Sequence, residues 1–429
     1  MSDLDVLFVH NNFPAQFRNL ARAMARRPGL RVRAIGAKGA PGLPEVPLQP
    51  YRFAGAELAN VHAFARRFEL ESRRAEQVIY AATTLKFGGF APKLIYVHPG
   101  WGEALPLRAL FPDASICSYA EFYYWPSGTD IGFDKDAPRY GVDGETRVIL
   151  RNAATLLSLT EANFAVAPTH WQRRIFPREM QPKIHVVHDG LDTDALVPGP
   201  PPARFSVSGQ DFEAGDEIVT FVSRNLEPYR GFHVVMRALP EILRSRPRAR
   251  ICLVGGEGVS YGSAPVDHPS WKAALLAEMG DRLDLDRVHF LGKVAYRDYL
   301  NLLRLSSAHL YLTYPFVLSW SMLEAMALGC LVIGSDTAPV QEVIQDGVNG
   351  LLVPFFQTQA LAERVIEVLE APERFRDLRA AARATICDRY DFERHSWPAH
   401  LKLIDEFVFS DPLVAALRAP AADPQAVPA

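Results

Sequence analysis

The sequence predicts an α/β protein with two doubly wound parallel-sheet domains facing each other across a deep interdomain cleft. Three observations lead there. Short runs rich in Val, Ile, Leu and Phe alternate with amphipathic helical stretches, an order that calls for parallel sheets covered by helices. The alternation lapses once, between residues 197 and 217, in PGPPPARFSVSGQDFEAGDE, and then restarts. A chain of 429 residues is too long for one core and suits two domains.

Taken in order, residues 5–9 read as a buried strand, followed by the turn His10-Asn-Asn-Phe-Pro14. Phe17, Leu20, Ala21 and Met24 then recur at helical spacing and give one apolar helix face. Strands follow at 31–35, 93–97, 115–119, 164–167 and 183–187. After the Pro/Gly-rich stretch, strands are expected at 218–222, 250–254, 287–291, 308–312 and 330–334. The resulting division is a first domain over 1–196, a linker over 197–217 and a second domain over 218–393. A helix at about 394–411 is expected to pack back on the first domain, and the Ala/Pro-rich 412–429 to fray.

Hydrophobic residues at 48% and charged ones at 22% exclude a disordered chain, a fibre and a disulfide-stapled module. A net charge of −3 gives no reason to expect nucleic-acid binding. Cys117, Cys252, Cys330 and Cys387 lie far apart without a CxxC pair, which suits reduced thiols rather than a zinc site. The acidic start does not suit a signal peptide, and no run of about 18 apolar residues suits a membrane span. The expectation is a cytoplasmic protein. Basic clusters at 18–33 and 66–74 leave two options, a solvated helix face or peripheral contact with the inner membrane face or an anionic acceptor.

The richest chemistry lies in TFVSRNLEPYRG, where Arg224 and Arg230 sit in the loop after a strand. Guanidinium forks stay charged and donate several hydrogen bonds, so the pair fits a diphosphate. In LSWSMLEAMALG, Ser319 or Ser321 caps a helix ending near Gly329, and its free N–H groups favour anionic oxygens. Glu324 lies among apolar residues on that helix; burying its carboxylate requires hydrogen-bond donors, and a ribose diol offers two. A second helix start leads to Glu342. Gly255-Gly-Glu-Gly258 lacks the full dinucleotide spacing, and His98, His185, His188 and His233 show no metal-ligand spacing.

Together SRNLEPYRGF, VHFLGKV, LEAMALGCLVIGSDTAPVQEVIQDGVNGLLV and KIHVVHDGLDTDALVP resemble glycosyltransferase family 4, retaining nucleotide-sugar transferases built on two Rossmann-like domains, the GT-B fold. The resemblance implies that Arg224 and Arg230 hold the donor diphosphate, and that Glu324, the second glutamate of the family's E-x7-E motif, binds ribose hydroxyls. It also implies that Gly292, Lys293 and Val294 read the base and that Glu342 lies beside the sugar and phosphates; Ser319, as the cap of a helix start that favours anionic oxygens, joins the donor-binding candidates, although it and Val317 stand where the family usually has glycines. Phe316 stands where the first E-x7-E glutamate would be, which marks a subgroup lacking it. In the first domain Glu121 stands where many members place a histidine; it orients acceptor or sugar hydroxyls, or pairs with an arginine. The acceptor would arrive near Asn12, Phe13, His98 and Gly100. The reaction implied moves a sugar from a UDP- or GDP-sugar to a carbohydrate or lipid-linked hydroxyl, in polysaccharide or glycolipid synthesis, without a metal or other cofactor. Two alternatives stand beside it, a catalytically silent nucleotide-sugar-binding protein and a GT-B nucleotide-sugar 2-epimerase.

Overall fold

The computed structural model describes residues 4–137, 139–200 and 202–421. It divides into two units, one comprising the chain up to Gly190 and from Phe392 onward, the other running from Leu191 to Asp391.

In the first unit, seven strands are β1 (Leu4–Val9), β2 (Leu30–Ala37), β3 (Leu48–Tyr51), β4 (Leu94–Val97), β5 (Ser115–Tyr119), β6 (Phe164–Ala167) and β7 (Ile184–Val186). They form one sheet in the order β3-β2-β1-β4-β5-β6-β7, every pair parallel. The apolar runs explain the arrangement: β4, β5 and β6 are buried at every position, as strands covered on both faces must be. The order reverses direction beside β1 and β4, and loops after such strands are where doubly wound sheets bind ligands.

The second unit's main sheet contains β10 (Glu217–Asn225), β11 (Ala249–Gly256), β12 (Val288–Gly292), β13 (Ala308–Tyr311), β14 (Val332–Ser335) and β15 (Leu351–Val353). Its order is β12-β11-β10-β13-β14-β15, again all parallel. Each strand read from the sequence has a counterpart. Strands β3 and β15 were not foreseen; each is short.

Two boundaries differ from the sequence reading. Residues 197–217 are not simply a linker, because β8 (Arg204–Val207) and β9 (Gln210–Glu213) form an antiparallel hairpin within the second unit. Phe205, Val207 and Phe212 are buried with Ile218, Cys252, Val254 and Leu291. Ser208 and Gly209 take φ of 50° and 75°, the two positive values that a tight hairpin turn requires. The proline density obscured the alternation in RFSV and QDFE. The frayed tail is the second correction. Asp411–Arg418 is a helix, and Leu413 and Leu417, one turn apart, are fully buried in the core of the first unit. Residues 422–429 lie outside the described residues. Within the same core, the helix Trp397–Phe407 buries Trp397, Leu403 and Ile404 against residues such as Val6 and Phe8.

The basic clusters are largely committed to the chain itself, so they are not bare solvated faces. Arg31 forks onto Asp5 at 2.6 and 2.8 Å, Arg22 pairs with Glu45 at 3.5 Å, and Arg27 donates to the Ala419 carbonyl. On the helix Arg66–Phe87, Arg73 pairs with Glu69, while Arg67 and Arg74 tie down the loop after β4. No described helix is long and apolar enough to cross a membrane.

Candidate functional site

In the second unit, β10 ends at Asn225 and the chain turns through Glu227 to Gly231. Gly231 has φ of 74°, and a Cβ there would lie 2.3 Å from that of Leu312, so only glycine fits before the helix Phe232–Ser245. This turn points Arg230 inward. Its side chain is buried, and Nη1 donates to Thr313 Oγ1 at 2.8 Å and to the Val317 carbonyl at 2.9 Å, with the Tyr311 hydroxyl 3.4 Å away. Its Cζ lies 5.1 Å from the Tyr261 ring centre and 5.7 Å from that of Phe316. Burial acts against the charge, yet the Tyr311 and Tyr261 hydroxyls and the Glu227 carboxylate outweigh it and hold the guanidinium above its ordinary value.

Arg224 has a different environment. It is exposed, and its side chain makes no hydrogen bond or ion pair among the described residues. Lys293 is also exposed, just after Gly292 (φ 66°), and its Cε would come within 3.1 Å of a Cβ placed on Gly256. Gly256 in turn pairs in register with Asn225. The C-terminal edge of β10–β12 therefore presents two open cations, Arg224 and Lys293, and one enclosed cation, Arg230. The sequence reading treated the two arginines as equivalent forks; their burial separates them. Val294 packs as a partly buried hydrophobe against the core.

Ser319 caps the helix Trp320–Ala327 as expected, its hydroxyl accepting from Ser321 N–H at 3.3 Å. Its own N–H donates to the Tyr311 hydroxyl at 2.7 Å, which links the cap to Arg230 through one tyrosine. Glu324 is buried on this helix, and its two oxygens accept from Tyr296 at 2.8 Å and Tyr299 at 2.9 Å. The donors foreseen for it were ribose hydroxyls; in this state tyrosines supply them. Both come from the preceding helix Tyr296–Leu305. Tyr299 is buried, and Tyr296 half exposed. Phe316 is buried among Tyr229, Tyr261 and Arg230, an aromatic cluster with no carboxylate to offer at that position. Glu342 ends the short helix Ala338–Gln341; its carbonyl accepts from Arg389 and its carboxylate helps raise Tyr390, chiefly pushed up by burial, to about 12.

In the first unit, His98 follows β4 and Glu121 follows β5. His98 Nδ1 accepts from the Gly100 N–H at 3.1 Å, so its Nε2 carries the proton toward Glu121 Oε2, 3.1 Å away. Gln16 donates to the other Glu121 oxygen at 2.6 Å. Trp101 stacks on His98 at 4.5 Å and His10 meets it edge-on at 5.1 Å. Asn12 is exposed, and its N–H donates to His10 Nδ1 at 2.9 Å. Phe13 is fully buried in the core beside Phe8, so it is removed from the acceptor-side residues. An apolar ring in that turn is more stable packed than exposed.

The loop carrying His98 is firmly held. Arg67 and Arg74 donate to the carbonyls of Gly100 and Trp101 at 2.5 and 2.7 Å, and Tyr51 donates to Glu103 at 2.7 Å. Burial raises both Glu71 and Glu103, only partly opposed by the arginines. Gly100 is needed because a Cβ would come 2.8 Å from the His98 ring. Among the described residues, no three His, Cys, Asp or Glu side chains cluster to hold a metal ion.

Comparison with known proteins finds a match in each half. Residues 28–196 match the family described as "Glycosyl transferase family 4 group", and 207–385 match "Glycosyl transferases group 1". The D-inositol 3-phosphate glycosyltransferase of Mycolicibacterium smegmatis is 29% identical over 189 residues, 44% of this chain and 40% of that protein. The enzyme of the same name from Nocardia farcinica is 31% identical over 206 residues, 47% of this chain and 44% of that one. The chain therefore matches less than half the length of these curated relatives. Among solved structures, sucrose-phosphate synthase from Thermosynechococcus elongatus superposes with a TM-score of 0.70 at 19% identity, over 95% of this chain and all of that one. Anabaena HepE in complex with UDP and glucose gives 0.65 at 15% identity, over 94% of this chain and 100% of that one. The fold is thus GT-B, and each half of the chain matches a glycosyltransferase family model.

Proposed function

We propose that this chain is a glycosyltransferase that moves a sugar from a nucleotide-diphosphate sugar to a hydroxyl acceptor with retention at the anomeric carbon. The observation that carries the reading is the charged edge of the second sheet. Arg224 and Lys293 are open there, and Arg230 is enclosed beside the capped start of the helix Trp320–Ala327. When the sugar–phosphate bond breaks, the diphosphate gathers negative charge. Preorganised guanidinium groups and free helix N–H groups stabilise that charge more in the transition state than in the ground state. No metal is required for this role, and UDP is the first donor nucleotide to test, since HepE was crystallised with it.

On the first unit, Glu121 would orient an acceptor hydroxyl, its carboxylate fixed by Gln16 and by the protonated nitrogen of His98. The acceptor class we favour is a carbohydrate or lipid-linked hydroxyl, met on the cytoplasmic side. Phe316 favours one second reading, a silent protein that binds nucleotide sugar without turning it over, because position 316 offers a buried ring in place of a carboxylate. Release of UDP from a panel of UDP-hexoses, with and without mono- and disaccharide acceptors, separates the two. Acceptor-dependent release supports transfer. Binding without release supports the silent reading, and no binding of any nucleotide sugar refutes both.

A further inference from the structure

Glu227 has no exposed surface, although it carries a carboxylate. It accepts from three successive backbone N–H groups, those of Ser260 at 3.1 Å, Tyr261 at 3.2 Å and Gly262 at 3.1 Å. Amides converging in this way form an anion nest, and the charge of Glu227 is stabilised inside the protein by it. Asn225 adds a side-chain bond to Ser260 at 2.7 Å. A short segment on the loop after β11 is therefore bound to the turn that carries Arg230.

The residue in the middle of the nest is Tyr261. Its ring lies 5.0 Å from Phe316 and 5.1 Å from Arg230 Cζ, so the two rings, Phe316 at 5.7 Å, together cover one flank of the guanidinium. Cation–π contact restrains the plane of the guanidinium, which a hydrated arginine would otherwise sample freely. Glu227 cannot reach a ligand itself, being fully buried under this segment.

We propose that Glu227 is a positioning residue for the donor-diphosphate subsite: its carboxylate fixes the 260–262 backbone so that Tyr261 holds Arg230 in the orientation that meets the phosphates. The inference rests on the nucleotide-sugar reading given above. Glu227 acts through Tyr261 and does not touch the donor.

The test measures UDP binding by calorimetry on the full chain, together with hydrogen exchange at residues 260–262. Glu227→Ala is expected to release those amides to exchange and to weaken UDP about tenfold, the worth of one charged hydrogen bond. Tyr261→Ala is expected to weaken UDP by a similar factor, and the double variant no further, because both changes break one chain of contacts. A purely structural role would lower the melting temperature and leave the affinity of the folded protein unchanged, which overturns the proposal, as do additive losses. Should Glu227→Ala fail to fold, Glu227→Asp and Glu227→Gln replace it. The aspartate keeps two acceptor oxygens and part of the affinity, whereas the glutamine turns an N–H against the nest and loses it; equal affinity in both overturns the proposal. Arg224→Ala is the control on the underlying reading. If it binds UDP as tightly as the wild type while Glu227→Ala is weakened, the assignment of the cationic edge fails and the Glu227–Tyr261 link survives. If the wild type binds no UDP, both fall.

Discussion

Replacing Arg224 and Arg230 one at a time by alanine should give two different proteins, although the sequence presents the residues as a pair. Arg224 is exposed and its side chain makes no hydrogen bond among the described residues, so Arg224→Ala should leave stability within about 0.5 kcal/mol of the wild type. Arg230 is buried and donates to Thr313 and Val317. At about 1.5 kcal/mol for each charged hydrogen bond, its loss removes about 3 kcal/mol. In a unit of this size, that lowers the melting temperature by roughly 6–12 °C. Turnover should fall about a hundredfold in both variants, about 3 kcal/mol of transition-state stabilisation for one lost cationic donor. Differential scanning fluorimetry and a coupled assay for UDP release read the two quantities independently. Equal melting temperatures for the two variants would refute the enclosed position of Arg230. Unchanged turnover in Arg224→Ala would remove it from the phosphate edge.

Three further outcomes follow from the geometry. Leu413→Ala should destabilise the first unit by about 2–5 kcal/mol in urea melts, since its side chain is fully buried; a loss under 0.5 kcal/mol would mean that the last helix does not pack. Gly231→Ala should cost more than about 2 kcal/mol, because the left-handed backbone and the Leu312 contact both oppose a Cβ. Wild-type expression and melting would contradict this. Glu103 is raised by burial, so its contribution to stability is present below its unfolded value near 4.5 and is lost as the pH rises through the higher folded value. Glu103→Gln keeps an acceptor for Tyr51 and carries no charge, so it should gain on the wild type as the pH rises above 4.5 in urea melts; an opposite trend would reverse the sign assigned to Glu103.

The two parallel sheets were legible in the sequence because buried parallel strands need continuous apolar runs, and those runs stand at the places the structure uses. The cap at Ser319 and the stop at Gly329 were legible for the same local reason: both depend on a few adjacent residues. What escaped notice depends on distant partners. Nothing near Arg230 in the chain announces that Tyr261 and Phe316 enclose it, and the tyrosines that bond Glu324 belong to another helix. Phe13 sits in a polar turn, HNNFP, among the residues expected near the acceptor, yet its ring is fully buried in the core. The hairpin around Ser208–Gly209 was hidden by prolines upstream, and the last helix by an alanine-rich composition whose two leucines carry the packing. In the first unit the histidine and glutamate were found as separate candidates; their hydrogen bond joins two strand ends that the sequence places 23 residues apart.

The central claim is that the second unit grips a nucleoside diphosphate at the C-terminal edge of its sheet. Titrating UDP into the wild type and Arg224→Ala by calorimetry tests it most directly. Saturable binding that stabilises the wild type by about 2.7 kcal/mol at a hundred times its Kd, and that is weakened about tenfold or more in Arg224→Ala, is the result the account predicts. Identical isotherms for the two proteins, or no heat from UDP, GDP or ADP with either, would contradict it.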